Sequence, residues 1–303
     1  MSLLLPENLS EPEKTELPSA DVIRRAGEAT NREVNHITNV PDQVRFQAEE
    51  IKQVFAESLE SLKAEGWEAV IDTSSKTRIS VDQEEKKVKI PSERKLGRDK
   101  LRALIAHELG THVTRRVNGE RSRLMILGLG LDRYERGEEG IATMREQAIA
   151  GKVEEFAGLE PHFAIGLAVG LDGNPRNFRT VYSVLEKYFQ LKGLLGGKEQ
   201  GAALLSAKTN AWNMAVRTFR GTDCKTTGVC FTKDIVYREG NMVVWDVIRD
   251  RPEEMMRFSV GKYDPANERH IWILNTLGIS DEDLTEEQNK EKALDEAIDD
   301  LNI

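Results

Sequence analysis

The residues best suited to chemistry are two histidines and a glutamate within six consecutive positions, His107, Glu108 and His112. Neutral imidazole nitrogens and carboxylate oxygens are ligands that zinc prefers, and a catalytic zinc ion keeps one position open for water. A carboxylate beside a ligand can polarise that water and accept its proton. The string therefore predicts a metal-assisted hydrolytic site, with His107 and His112 as ligands and Glu108 as the general base.

The spacing of the two histidines differs from that of the common metal-binding helix. His112 follows His107 by five residues, whereas the familiar peptidase helix spaces its histidines by four. At about 100° per residue, an ideal helix would hold the two side chains roughly 140° apart, too far for one ion. One extra residue in the turn, as in a π-bulge, reduces the difference to roughly 40°.

The apolar residues of the same helix give an independent check on this distortion. On an ideal helix Ile105, Val113 and Val117 form a ragged stripe, whereas one bulged residue brings all three to one face. A single defect thus aligns both the ligands and the buried face. We therefore predict a π-bulge around Leu109–Thr111, where Gly110 is a residue suited to absorb it.

A third metal ligand must come from another element, and Glu139 is the best candidate. It lies 27 residues after His112, at the start of the next predicted helix. A glutamate from a second helix completes the two-histidine, one-glutamate sites of thermolysin-like enzymes. Simpler interpretations stay open: the glutamates at 138 and 139 can merely favour a helix N-terminus, and the histidines can be incidental.

The elements around this string predict a mostly helical α+β fold, with a small sheet just before the histidine helix. The first helical stretch, 20–66, has its apolar spacing from Val44 onward and its stop at Gly66. Strand character marks 67–72, 77–81 and 88–90, and further helices are predicted at 99–117, 139–156, 176–192 and 199–219. A loop is expected over 124–131, and the region 231–258 is ambiguous in its period. This layout is common among zinc peptidases.

Composition divides the chain into an arm, a domain and a tail. Residues 1–19 are rich in Glu, Pro and Ser and predict a flexible arm, whereas 20–280 form the predicted catalytic domain. Residues 281–303 alternate acidic and apolar side chains and predict a solvated surface helix.

The bulk composition excludes several classes of protein. Of the 303 residues, 39% are hydrophobic and 31% charged, as in an ordinary globular protein. The net charge of −9 repels phosphate backbones and argues against a nucleic-acid partner. Since no stretch approaches the ~20 apolar residues of a membrane helix and 1–5 lack a basic flank, we expect neither a membrane span nor a secretory signal. Cys224 and Cys230 are expected to be free thiols, which favours a reducing cytoplasm.

Several segments, taken in order, resemble one family of peptidases. They are the string 107–112, Asn118-Gly119, the Glu-Glu-Gly-Ile-Ala of 138–142, and the segments 217–221 and 231–237. Together they resemble the microtubule-associated tyrosine carboxypeptidase family, whose bacterial relatives carry a Gln-Glu-Gly-Leu-Ala motif and the label "flavohemoglobin expression-modulating". The resemblance spans roughly 67–258. It implies a zincin-like metallopeptidase in which His107, His112 and Glu139 bind one zinc ion per chain.

The chain departs from that family in a few places. Glu138 stands where the motif has Gln, and Ile141 stands where it has Leu, which leaves the presumed ligand in place. The sequence separation between His112 and Glu139 is shorter than in vertebrate members. The long arm and the microtubule contacts of those members have no counterpart in this sequence. The resemblance therefore implies peptidase chemistry but not the removal of tyrosine from tubulin.

A carboxypeptidase needs two further kinds of group, one for the oxyanion and one for the terminal carboxylate of a peptide or protein. Tyr237 is the candidate donor to the oxyanion. Arg217, Arg220 and Lys233 are the candidates for the carboxylate, because a guanidinium binds carboxylates through two parallel hydrogen bonds. Three alternatives stay open: endopeptidase action, a zinc-binding but catalytically silent regulatory protein, and a helical interaction protein without metal.

Overall fold

A computed structural model of the protein describes residues 16–74 and 78–280. Most of the predicted arm at 1–19, and the whole predicted tail at 281–303, lie outside the described residues. The chain divides into two compact units. Among the described residues, the first unit comprises those up to Glu155 and from Met242 onward, and the second comprises Phe156–Asn241.

The first unit begins with helices α1 (Ala20–Ile37) and α2 (Ala48–Ser61). The prediction of continuous helix over 20–66 is wrong between them, since Thr38 is already extended and Val44 is 93% exposed. Pro41 gives the physical reason, because a proline disfavours helical geometry in the residue before it. The chain re-enters a helix at α2, where the carboxylate of Glu50 accepts a hydrogen bond from the backbone N–H of Gln47 at 2.7 Å.

A small sheet follows, as the sequence predicts. It consists of β1 (Glu68–Asp72), β2 (Ser80–Asp82) and β3 (Lys87–Pro91) in the order β1-β3-β2 within the described residues. β1 runs parallel to β3, and β2 runs antiparallel to it. Val88 and Ile90 of the central strand are fully buried and join the core formed with α1, α2 and the histidine helix. The sheet therefore supports that helix from one side.

The histidine helix is composed of α3 (Arg98–Leu104), a π-helix (Ile105–Val113) and α4 (Thr114–Arg121). The predicted loop at 124–131 contains the short helix α5 (Ile126–Leu129). Helix α6 (Glu135–Ala150) packs against the π-helix and against α1.

Helix α6 lies earlier in the chain than the sequence predicts, which corrects the bounds of 139–156. It ends because Gly151 adopts φ 69°, a left-handed conformation that favours glycine and terminates a helix. Glu139 therefore lies one turn inside α6 rather than at its start.

The first unit closes with the end of α10 (Ile235–Asp250), a 3₁₀ helix (Pro252–Arg257) and α11 (Glu268–Leu277). The region of ambiguous period is thus mainly helical. Between the last two elements, Phe258, Val260 and Tyr263 are buried. Glycines allow this segment to run close to α6, since a Cβ at Gly137 would lie 2.5 Å from Cα of Asp264.

The second unit contains α7 (Leu159–Val169), α8 (Phe178–Leu195), α9 (Gln200–Phe219) and the first part of α10. The predictions for α8 and α9 are confirmed, whereas α7 was not predicted. Fully buried alanines of α9, Ala211 and Ala215, pack in one core with Val181 and Leu185 of α8. Cys224 and Cys230 are free thiols, as predicted. Among the described residues of both units, no helix combines the length and apolar character needed to cross a bilayer.

Candidate metal centre

The π-helix confirms the distortion that the histidine spacing predicts. It extends over nine residues, and so is longer than the bulge expected at 109–111. Ile105 and Val113 are fully buried and Val117 is 6% exposed, which confirms the alignment of the apolar face. Gly110 lies inside the π-helix, although an added Cβ there would make only ordinary contacts, 3.6 Å from Cδ1 of Ile37.

This local geometry brings His107, Glu108 and His112 together. The two imidazole centroids lie 5.1 Å apart, with ring planes at 71°. One nitrogen or oxygen of each of the three residues lies within 4.8 Å of the others, a spacing at which a single ion can contact them. Glu108 is only 8% exposed, so this cluster contains a buried carboxylate.

Glu139 approaches this cluster from α6. Its Oε2 lies 3.9 Å from Nε2 of His112. This oxygen is buried, and no donor among the described residues forms a hydrogen bond with it. A buried carboxylate oxygen without a partner is costly unless a cation compensates it. Two imidazoles and a carboxylate are also the donor set of catalytic zinc sites, so the residues present fit a zinc ion.

A second layer of carboxylates contacts the two imidazoles. Nδ1 of His112 lies 3.0 Å from Oε1 of Glu138, and Nδ1 of His107 lies 2.7 Å from Oε1 of Glu146. The contact of His112 has hydrogen-bond geometry, so in its neutral form Nδ1 of His112 is assigned the proton and Nε2 presents a lone pair to a metal. The contact of His107 is close but lacks hydrogen-bond geometry, so it assigns no tautomer to that ring.

Glu138 is itself held by Arg115, which is fully buried in α4. Nη1 of Arg115 donates to Oε2 of Glu138 at 2.5 Å, and its other nitrogens donate to the carbonyl oxygens of Gly261 and Tyr263 at 2.7 and 2.6 Å. Burial raises the pKa of Glu138, but Arg115 and His112 outweigh it and lower the pKa to about 2. Glu138 is therefore a permanent carboxylate at neutral pH.

The excess of carboxylates also governs the protonation of the histidines before a metal binds. Burial lowers the pKa of His107, but Glu108, Glu146 and Glu139 outweigh it and raise the pKa to about 9. The pKa of His112 is raised in the same way, chiefly by Glu138 and Glu139 against the effect of burial. The site therefore favours a positive charge, whether a proton or a metal ion.

Sequence reasoning did not identify Glu138, Glu146 or Arg115 as parts of the site. One signal was available for Glu146, which lies seven residues after Glu139 and so on the same face of α6. Arg115 gave no local signal, because its partners lie 23 to 148 residues away in the sequence.

The other predicted site residues belong to the second unit, where Arg217, Arg220 and Tyr237 surround Asp234. Arg217 donates to Oδ2 of Asp234, and Nη2 of Arg220 lies 3.1 Å from Oδ1. The guanidinium carbon of Arg217 lies 5.3 Å from the centroid of the Tyr237 ring. Lys233 is exposed. Both arginines are thus engaged in an ion pair, and the substrate-binding and oxyanion roles of these four residues stay predictions.

The chain matches the model of a known family. The family model for microtubule-associated tyrosine carboxypeptidase matches residues 6–155 and 203–284. The matched ranges contain the π-helix, α4 and α6, together with nearly all of α9, whereas 156–202, with α7 and α8, lie outside them. A comparison with curated proteins finds no match.

Proposed function

The chain belongs to the microtubule-associated tyrosine carboxypeptidase family, and from this we propose that it is a zinc-dependent carboxypeptidase that removes residues from the C-terminus of a peptide or protein. Family membership indicates carboxypeptidase-type activity. The single observation that supports the zinc site is the cluster of His107, Glu108 and His112, which a buried Glu139 oxygen approaches to 3.9 Å from Nε2 of His112, without a hydrogen-bond donor among the described residues.

Different residues of the proposed site would bind the ion and orient its ligands. The imidazoles of His107 and His112 and the carboxylate of Glu139 would hold the ion. A bound zinc ion supplies a Lewis acid that lowers the pKa of water and polarises a carbonyl group. Glu138 would keep the neutral imidazole of His112 in the tautomer that leaves Nε2 free, and Glu146 contacts the imidazole of His107.

Glu108 is the proposed general base. Burial raises the pKa of its carboxyl group, with the nearby imidazoles opposing that effect, and a raised pKa makes a carboxylate a stronger base near neutral pH. Glu108 would accept a proton from the attacking water and return it to the nitrogen of the leaving amino acid. It lies next in sequence to His107, so its position follows from the same π-helix.

The residues around Asp234 are proposed to recognise the substrate. Arg220 is the better candidate for the terminal carboxylate, since 41% of its side chain is exposed, against 19% for Arg217. Tyr237 is proposed to donate to the oxyanion. A cytoplasmic location and the lack of a nucleic-acid partner remain predictions from composition.

The proposal is tested by incubating the zinc-loaded protein with a mixed peptide pool and reading the products by mass spectrometry. Loss of single C-terminal residues is expected, and peptides with an amidated C-terminus should be poor substrates. Internal cuts would instead indicate an endopeptidase and contradict the carboxypeptidase assignment.

The matched variant is Glu108→Gln. It should lower kcat by about 10²–10⁴-fold while the protein retains one zinc ion per chain. Full activity in this variant would end the mechanism, and a wild-type protein with less than about 0.1 zinc per chain after gentle purification would end the zinc proposal.

A further inference from the structure

A buried arginine of α6 bonds directly to the π-helix between the two histidines. Arg145 is 3% exposed. Its Nη1 donates to the carbonyl oxygen of Gly110 and to Oγ1 of Thr111, the latter at 3.0 Å. Both acceptors lie inside the segment that separates His107 from His112.

The other end of the guanidinium is anchored outside the metal site. Nη2 of Arg145 lies 2.9 Å from Oε1 of Glu33 on α1 and 2.9 Å from Oγ of Ser259. Ser259 in turn donates to Glu33 at 2.5 Å. Glu33 compensates the buried charge, so the guanidinium is held in one orientation by three segments distant in sequence.

A π-helix usually occurs as a single-turn bulge, so a nine-residue one is unusual and side chains add to its backbone hydrogen bonds here. The hydroxyls of Thr111, inside the π-helix, and Thr114, the first residue of α4, donate to the carbonyl oxygens five residues earlier. The acceptors are Ala106 at 3.0 Å and Leu109 at 2.8 Å. The carbonyl of Gly110 receives its bond from Arg145. If this segment returned to α-helical geometry, each side chain after it would rotate by about 100° around the helix axis. His112 would then point away from His107.

We propose that Arg145 is a positioning residue that holds the π-helical register and, through it, the separation of His107 and His112. The hydrogen bonds of Arg145 support its role in the π-helix directly, whereas the consequence for metal binding rests on the proposed zinc site. Arg145 contacts the helix rather than the proposed substrate or ion, so its effect is transmitted through backbone geometry.

The test compares Arg145→Met with Arg102→Met. Arg102 is a matched control, because it also joins the histidine helix to α1, through Asn31 at 2.8 Å and Asn35 at 3.2 Å, but from α3. In metal-free protein, Arg145→Met should raise amide hydrogen exchange over 105–114 by about tenfold or more, whereas Arg102→Met should leave that segment unchanged.

Metal binding gives the second readout. Arg145→Met should weaken zinc affinity by about 10–100-fold and change the visible absorption spectrum of the cobalt-substituted protein, with Arg102→Met matching the wild type in both. Wild-type exchange, affinity and cobalt spectrum in Arg145→Met would overturn the proposal.

If Arg145→Met does not fold, Ser259→Ala replaces it, since this variant removes the hydrogen bond between Arg145 and Ser259 and keeps the buried charge. A selective rise in exchange over 105–114 then supports the proposal, and no selective rise overturns it. If the wild-type protein binds no zinc, the proposed function fails, but the exchange measurement still decides the role of Arg145.

Discussion

Nδ1 of His112 lies 3.0 Å from Oε1 of Glu138, while the second oxygen of Glu138 accepts a hydrogen bond from the fully buried Arg115. One carboxylate thus orients a proposed ligand and compensates a buried charge at the same time. Stability and metal binding are therefore coupled at this position, and their loss can be measured separately.

Glu138→Ala should impair both properties. It leaves Arg115 buried without its carboxylate, which costs about 3–5 kcal/mol of unfolding free energy. It also removes the partner of His112 and should lower zinc affinity by about 10–100-fold. Chemical denaturation and zinc titration measure the two effects.

Two further variants at α6 calibrate this result. Glu138→Gln restores the residue of the related motif and keeps one acceptor, so it should retain more of both properties than Glu138→Ala. Glu135→Ala removes a carboxylate one turn earlier on the same helix and should retain zinc affinity. Equal behaviour of Glu138→Ala and Glu135→Ala would contradict the role of Glu138.

Zinc binding should release protons at pH 7. The pKa of His107 is raised to about 9 before metal binds, so the imidazole is mainly protonated at pH 7, whereas zinc requires the neutral form. Zinc affinity should accordingly rise as the pH increases from 7 to about 9. Calorimetry in buffers of different ionisation enthalpy counts the protons.

Glu146→Gln is the variant that checks this linkage. It removes one of the carboxylates that raise the pKa of His107, so fewer protons should be released at pH 7. The raised pKa of His107 also determines how the stability of the metal-free protein changes with pH. A raised histidine pKa stabilises the metal-free protein fully below about 6.5, and that stabilisation is lost as the pH rises through about 9. A metal-free protein that becomes more stable over this range would refute the assignment.

Two glycines near the site should respond differently to alanine. At Gly110 a Cβ would make ordinary contacts, so Gly110→Ala should retain the melting temperature and zinc content. At Gly137 a Cβ would lie 2.5 Å from Cα of Asp264 and 2.8 Å from the carbonyl oxygen of Tyr263. Since backbone must move, Gly137→Ala should cost about 1–3 kcal/mol. A thermal melt of each variant decides, and equal melting temperatures would contradict the packing described for α6.

The ion pairs of Asp234 should make stability depend on acid pH. Burial raises the pKa of Asp234, but Arg217 and Arg220 outweigh it and lower the pKa below the usual value. The resulting stabilisation is present above about pH 3.9 and is lost as the pH falls through the lowered pKa.

Asp234→Asn should therefore lower the melting temperature at pH 7 and reduce its acid dependence. Glu239→Gln, an exposed substitution on α10, is the control and should follow the wild type. The same acid dependence in Asp234→Asn and wild type would show that this carboxylate does not contribute.

The sequence by itself determined what local periodicity encodes. The five-residue spacing of His107 and His112, together with the apolar stripe of Ile105 and Val113, predicted a π-bulge, because the directions of both the histidines and the buried face follow from the angle per residue. The nine-residue length of the π-helix was not predicted. Local sequence patterns also predicted the three strands and the helices α8 and α9, and short motifs indicated the family. The break before α2 was missed because Val44 fits the helical spacing and yet is exposed, beyond Pro41.

Only the tertiary structure decided which distant side chains complete the centre. Glu146 contacts His107, Arg115 donates to Glu138, and Arg145 donates to the carbonyl of Gly110, and in each case the two partners lie on different helices. A buried charge requires a partner, but it does not specify where along the chain that partner lies. The packing of α6 against the π-helix decides this, because it brings Glu138, Glu139 and Arg145 of α6 to the histidine segment.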